Sequence, residues 1–227
     1  IVLPDRFFVP VVNAADKGDW DTFLSPYKQA VEELKVKFKR LRDQYQMSSQ
    51  HTPIEFVTGR VKPVTSILEK AARKNIPLDQ LSTQMQDIAG IRIVCQFVSD
   101  IDTVVEMLHE RSDFIIVEER DYIKQKKASG YRSYHMVVNY PVHTIEGKKE
   151  VLVEIQIRTM AMNFWATIEH SLNYKYRGEI PATIKKRLQN AAEAAFLLDE
   201  EMSKIKGEVR EAQRIMMKNQ EKNYRSK

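Results

Sequence analysis

The chain has 227 residues, 43% of them hydrophobic, which suits one domain with a real core, with or without helical extensions, and excludes a disordered chain. Lys and Arg total 36 against 31 Asp and Glu, a net charge of +5, and so mild an excess suits small polyphosphates as well as nucleic acid. The one cysteine, Cys95, lies in an apolar run, which excludes a disulfide framework and a cysteine-based zinc site and points to a reducing, cytoplasmic setting; no stretch is apolar for long enough to span a membrane.

Residues 1–19 read as a leader without an assigned role, processed or appended. Its apolar residues Ile1–Leu3 and Phe7–Val12 are interrupted by Pro4, Asp5, Arg6 and Pro10, which is not the pattern of a signal peptide. From Ser25 the pattern turns helical, with Pro26 in the first turn and Tyr27, Val31, Leu34, Phe38, Leu41 and Tyr45 on one stripe. Lys35, Lys39 and Arg42 share a neighbouring face, which reads as a solvated basic surface. Ser48–Pro53 is a linker, and a second helix follows Lys62-Pro63 and runs to about Lys74, ended by Asn75-Ile76-Pro77.

Four strands are then expected, at Ile91–Val98, Phe114–Glu119, Tyr134–Tyr140 and Val151–Arg158, each rich in β-branched and aromatic residues. Ile101–Arg111 reads as a helix that Asp100 can cap, with Val104, Val105 and Leu108 as its apolar stripe, and His143–Lys149 is a hairpin-sized loop. Met160–Tyr176 is a helix ended by Arg177-Gly178. The last helix, from about Thr183, carries Ala191, Ala195, Leu198, Met202, Ile205 and Val209 at heptad-like spacing, a seam for its own domain or for a sister subunit. The tail after Gln213 is polar and is expected to fray. The sum is an α+β fold, a small mixed β-sheet flanked by helices, with N- and C-terminal helical extensions.

In the strand Val151–Arg158 the odd positions are β-branched, and the even positions from 154 onward are Glu154, Gln156 and Arg158. Alternation therefore lines up a carboxylate, an amide and a guanidinium on the face away from the core. Asp87, just before the first expected strand, supplies a second acid, and Gly90 beside it permits close approach of a ligand. Asp87 and Glu154 can together hold one Mg²⁺, with waters and phosphate oxygens completing the shell. Arg120–His135 alternates basic and aromatic residues around Gly130 and could grip a nucleotide or single-stranded RNA. Ser66, Lys70 and Arg73 fall on one helix face, a row that suits a triphosphate. A P-loop, a GxGxxG fingerprint, an HExxH zinc site and the HD dipeptide of many phosphohydrolases are all missing from the sequence.

The stretches Pro53–Pro63, Asp87–Arg92, Ser129–His135, Glu154–Thr159 and Asn163–His170, in this order, resemble the synthetase domain of RelA/SpoT-type alarmone enzymes. The lengths resemble the small alarmone synthetases of the RelQ branch. The resemblance covers about Trp20 to Gln213, a domain at 20–213 between the leader and a polar tail at 214–227.

It implies a nucleotidyltransferase-like fold without a hydrolase domain. It also implies a pyrophosphokinase that moves the β,γ-diphosphate of ATP to the 3′-hydroxyl of GDP or GTP, making ppGpp or pppGpp with release of AMP. By resemblance, Asp87 and Glu154 bind Mg²⁺ and Glu154 assists deprotonation of the acceptor. Arg60 and Arg92 sandwich adenine, while Lys62, Ser66, Lys70 and Arg73 hold the ATP phosphates. Tyr131 is a platform for guanine, and Arg120, Lys127, His135 and Gln156 serve the rest of the acceptor.

The branch further implies a homotetramer with a central cleft for the alarmone product, matched here by Lys39, Arg42, Glu55, Phe56, Thr58 and Gly59. Asn163 serves the cleft or the guanine. Product or single-stranded RNA would tune activity through this cleft. Two other readings are a nucleotidyltransferase that passes a nucleoside monophosphate and a non-catalytic RNA-binding or ribosome-associated module. The presence of both acids favours an enzyme over the second.

Overall fold

The structure, a computed structural model, describes residues 17–48, 51–175 and 180–225. The leader up to residue 16 and the expected stop at Arg177-Gly178 lie outside the described residues. In chain order the elements are α1 (Lys17–Met47), β1 (Phe56–Val61), α2 (Val64–Lys74), a 3₁₀ turn at Leu78–Gln80, α3 (Leu81–Gln84), β2 (Ala89–Cys95), α4 (Val98–His109), β3 (Ile115–Asp121), β4 (Tyr134–Thr144), β5 (Gly147–Thr159), α5 (Met160–Lys175) and α6 (Ala182–Arg225). The strands form one five-stranded mixed sheet in the order β1-β2-β5-β4-β3, in which only β2 and β5 run parallel.

Several boundaries differ from the sequence reading. The first helix starts at Lys17, not Ser25, so Pro26 lies inside it. The extra turns carry Trp20, Phe23 and Leu24, all buried, and their packing outweighs the hydrogen bond that the proline removes. Strand β1 was not expected. Gly59 interrupts a short run and weakens its strand signal, yet the pairing with β2 is continuous from Phe56 to Val61.

Strand β2 ends at Cys95 and α4 begins at Val98, where the Asp100 carboxylate accepts from the Phe97 amide at 3.2 Å. Asp100 therefore caps the helix from inside its first turn rather than from before it. The expected loop at His143–Lys149 is mostly strand, closed by Ile145-Glu146, with Gly147 at φ +105°. Helix α6 continues through the polar segment after Gln213 to Arg225.

The sheet has two distinct faces. Ile91 and Ile93 of β2, Val153, Ile155 and Ile157 of β5, and Met136, Val138 and Tyr140 of β4 join one buried cluster with α1 and α4. Helix α1 contributes Tyr27, Val31, Leu34 and Phe38 to it, each burial worth about 1.5–3 kcal/mol. A Cβ at Gly59 would lie 2.7 Å from Val31 Cγ1 and 2.9 Å from Lys35 Cδ, so only glycine lets α1 approach β1 this closely.

The alternate positions turn the other way. Register places Thr58 beside Arg92, Arg60 beside Gly90, Gly90 beside Glu154, Arg92 beside Gln156, and Gln156 beside His135. A bulge between Ile116 and Glu118 in β3 adds the last member. Ile116 pairs with Val138 of the core face, whereas beyond the bulge Arg120 pairs with His135. The extra residue thus re-aims Arg120 onto the face that carries Glu154.

Candidate active site

One pocket is lined by Thr58, Gly59, Arg60, Asp87, Gly90, Ile91, Arg92, Glu154 and Gln156. Asp87 sits in the turn leading into β2, while Glu154 stands in mid-strand on β5. Between them Gly90 leaves open room, because a Cβ there would meet only the Arg60 carbonyl, at 3.8 Å.

The Asp87 Oδ2 atom receives Lys62 Nζ at 3.0 Å and Lys70 Nζ at 2.7 Å, whereas Oδ1 is buried without a hydrogen-bond partner. Burial alone would raise the Asp87 pKa, but the Lys70 hydrogen bond and the charges of Lys62 and Lys70 outweigh it and hold the carboxyl below its ordinary value. Burial pushes Glu154 up as well. The hydrogen bond and charge of His135, and the Gln156 amide, overcome this and lower it, although Asp87 opposes them.

Two ionised acids on one pocket, one with an orphaned oxygen, fit a divalent cation completed by waters and phosphate oxygens. No group of three or more His, Cys, Asp or Glu side chains gathers among the described residues, so such an ion would draw on these two carboxylates.

A closed ring of hydrogen bonds holds Glu154. Its Oε1 lies 3.0 Å from His135 Nδ1, and Oε2 accepts from Gln156 Nε2 at 2.7 Å. Arg158 Nη2 donates to Gln156 Oε1 and to the Tyr131 hydroxyl, both at 2.6 Å, and that hydroxyl lies 2.7 Å from His135 Nε2. Arginine can only donate, so the Tyr131 oxygen accepts from Arg158 and the phenol's own hydrogen stays available to the ring. Burial pushes the Tyr131 phenol up, consistent with its keeping that hydrogen.

Arg158 lies on the face expected from alternation, although no role was expected of it. Tyr122, expected only as one aromatic member of the Arg120–His135 segment, meets the His135 ring edge-on at 5.1 Å. The signals were present in the alternation of β5 and in the aromatic content of the loop, but neither states what a side chain touches.

The expected ATP contacts are mostly gathered. Arg60 and Arg92 project from adjacent strands into the pocket on the open face. Burial lowers the Arg92 pKa, and the nearby Arg158 and Arg60 charges add to it. Its Nε is buried without a partner. Lys62 and Lys70 meet at Asp87, Ser66 is half-buried on α2, and Arg73 is exposed near the helix end.

Among the residues expected at the acceptor, Lys127 Nζ lies over the Tyr122 ring at 4.3 Å and the Tyr131 ring at 4.9 Å. Burial lowers its pKa against the pull of Glu154, and Arg120, Arg158 and Lys70 lower it further. Arg120 is already paired, donating to both Glu118 oxygens at 2.6 Å and to Gln86 at 2.7 Å. The pocket is cationic on all sides of two acids, an arrangement that attracts a polyphosphate.

The residues expected in a product cleft are divided. Thr58 and Gly59 line the pocket just described. Arg42 Nη1 reaches the Glu55 carbonyl at 3.5 Å from α1, where Lys39 is exposed. Phe56 lines a separate groove with Met160, Asn163, Phe164, Thr167 and Ile168 of α5. Asn163 thus lies in a groove with Phe56, and its Oδ1 is buried without a hydrogen-bond partner.

The profile of the "Region found in RelA / SpoT proteins" matches residues 59–179. The chain is 67% identical over 198 residues to the GTP pyrophosphokinase YjbM of Bacillus subtilis, covering 87% of this chain and 93% of that one. It is 42% identical to the GTP pyrophosphokinase YwaC of the same organism, over 84% and 92% of the two chains. Its structure resembles that of the small alarmone synthetase 1 from Bacillus subtilis bound to its product pppGpp, with a TM-score of 0.83 and 68% identity over 86% of this chain and 99% of that one. A GTP pyrophosphokinase family protein from Streptococcus pneumoniae has a TM-score of 0.82 and 59% identity, over 86% and 96%.

Proposed function

The chain belongs to the RelA/SpoT family and is a GTP pyrophosphokinase, and from that premise we propose how its residues divide the reaction. The enzyme transfers the β,γ-diphosphate of ATP to the 3′-hydroxyl of GDP or GTP, making ppGpp or pppGpp and releasing AMP. The observation that carries our division of roles is that Asp87 and Glu154 share one cationic pocket between Arg60 and Arg92 on one side and Tyr131 on the other.

On this reading Arg60 and Arg92 stack on the adenine, and Lys62, Ser66, Lys70 and Arg73 take the ATP phosphates. The two lysines now on Asp87 move to phosphate oxygens when ATP enters, which releases the carboxylate. Asp87 and Glu154 would hold Mg²⁺, which would polarise phosphate oxygens and offset their charge. The guanine rests on Tyr131, and Arg120, Lys127, His135 and Gln156 hold the acceptor's ribose and phosphates.

The 3′-oxygen attacks the β-phosphorus. As that bond forms, the bond from the β-phosphorus to the bridging oxygen breaks, and the oxygen leaves with AMP. Glu154, kept ionised and oriented by His135 and Gln156, takes the hydroxyl proton. Alignment and charge neutralisation supply most of the rate in such transfers.

Incubation with ATP, Mg²⁺ and GDP or GTP should release AMP and the 3′-diphosphorylated nucleotide. Glu154→Gln or Asp87→Asn should cut turnover by about 10²-fold or more with the melting temperature nearly unchanged. Release of pyrophosphate instead of AMP, or normal turnover in either variant, would refute the assignment.

The reading extends to assembly and control. Met160, Phe164, Ile168 and Leu172 recur every four residues on α5 and are all exposed, which supports a homotetramer built on this face. Lys39, Arg42, Glu55, Phe56, Thr58 and Gly59, with Asn163, would then line the cleft that takes product or single-stranded RNA. No helix among the described residues is long and apolar enough to cross a membrane, and a cytoplasmic setting agrees with the buried free thiol of Cys95.

A further inference from the structure

Helix α6 packs on the rest of the protein in an unexpected way. Most of its heptad-like apolar seam is not its inner face: Leu198, Met202, Ile205 and Val209 are exposed, while Ala195 packs against the cluster of Trp165, Ala166 and Ala192. A different stripe, Gln189, Ala192, Glu193, Phe196 and Asp199, faces inward, at steps of three and four. Most of this stripe meets the segment between Lys126 and Arg132, the loop that carries Lys127 and Tyr131.

The contacts are specific. Gln189 Nε2 donates to the Ala128 carbonyl at 2.8 Å. Gly130 has φ +90°, and a Cβ built on it would lie 2.6 Å from the Ala192 Cβ, so backbone and helix touch where a side chain could not fit. One oxygen of Glu193, Oε2, accepts from Lys126 Nζ at 2.8 Å and from Arg132 Nη2 at 3.1 Å. The Arg132 guanidinium is buried and lies 4.0 Å from the Phe196 ring centroid. Both chain neighbours of Tyr131, Gly130 and Arg132, are thereby held from α6. Tyr131 itself packs against the cluster of Trp165, Ala166 and Ala192, while its hydroxyl enters the ring that orients Glu154.

We propose that α6 is the brace of the acceptor loop and that Glu193 is a positioning residue for the guanine nucleotide. It touches neither substrate nor acid. By tying Lys126 to Arg132 across the turn it fixes where Lys127 and Tyr131 project, so the acceptor meets a preformed platform. This inference rests on the reading of Tyr131 and Lys127 as acceptor contacts. The ATP side gives a built-in control, because Arg60 and Arg92 stand on β1 and β2, Lys70 on α2 and Lys62 between β1 and α2, and their described contacts do not involve α6.

The test is steady-state kinetics of Glu193→Ala and Glu193→Gln in the full chain, varying GDP at saturating ATP and ATP at saturating GDP. One exposed ion pair and one with a buried arginine, lost at once, predict a KM for GDP raised at least about three- to fivefold, with the KM for ATP within error of the parent. Lys126→Ala combined with Glu193→Ala should add less than the sum of the single effects. Amide hydrogen exchange should quicken over residues 126–132 and not over β5.

If the KM for GDP does not move in the Glu193 variants while Tyr131→Ala raises it, the brace is wrong and the acceptor reading stands. If Tyr131→Ala also leaves it unmoved, the acceptor reading fails and the brace falls with it. Equal rises in both KM values, with a lower melting temperature, would make Glu193 a general stability residue and overturn the proposal.

Discussion

Asp199 is the residue whose substitution gives the clearest number. It sits on α6 with 4% of its surface exposed, and its Oδ2 accepts from the Thr159 hydroxyl at 2.5 Å. That hydroxyl in turn accepts from the Met162 amide at 3.1 Å, so one oxygen joins the end of β5, the first turn of α5 and α6. Burial raises the Asp199 pKa from an ordinary 3.8 to about 6, against the smaller opposing effects of Thr159 and Arg132.

A carboxyl whose pKa is higher in the folded state binds its proton more tightly there. Its contribution to stability is greatest below pH 3.8, declines as pH rises toward 6 and is flat above. At about 1.36 kcal/mol per pH unit, the interval from 3.8 to about 6 corresponds to about 3 kcal/mol lost by neutral pH. Asn keeps an acceptor for Thr159 and carries no charge. The stability of Asp199→Asn minus that of the parent should therefore grow by about 2 kcal/mol between pH 4 and pH 7, part of the change having already occurred by pH 4. Urea unfolding at fixed protein concentration across that range measures it. Any pH-independent change in amide hydrogen bonding cancels in the comparison. A difference that stays flat, or shrinks as pH rises, would refute the reasoning.

Arg92→Ala should raise the KM for ATP about three- to thirtyfold, the range for a lost guanidinium–aromatic stack, without lowering the melting temperature, because Arg92 sits among the charges of Arg158 and Arg60 with its Nε unpartnered. An unchanged KM, or marked destabilisation, would remove Arg92 from the adenine site. Phe164→Glu, which places a charge in the middle of the exposed α5 stripe, should convert an assembly of four 26.5 kDa chains into smaller species by light scattering and flatten the response to added pppGpp. A parent protein that runs as a monomer would refute the assembly.

What could be read in the sequence was what alternation and local chemistry encode. The row Glu154, Gln156, Arg158 on one face of β5 follows from a period of two, and Asp87 beside a glycine announced a tight approach. What escaped depends on neighbours distant in the chain. Strand β1 exists because α1 presses on Gly59 and β2 pairs with it. The expected α6 seam followed hydrophobicity, but the inward stripe is chosen by Gly130, Arg132 and Thr159, which offer a backbone, a cation and a hydroxyl to be matched. Arg120 points at the site only because of the bulge in β3, which no local pattern announces.

The two-faced sheet limits how such a chain can vary in length. Losing or gaining one residue inside β5 would turn Glu154 toward Leu34 and Phe38 and bring an isoleucine out among the arginines, so a single in-frame codon deletion there is a double loss, of core and of chemistry. The hairpin tip at Ile145-Glu146 is different: Ile145 is fully exposed and nothing lies within 4 Å of where a Gly147 side chain would begin. Related chains that differ in length should carry their extra residues at that tip and keep the spacing from Val151 to Thr159 fixed.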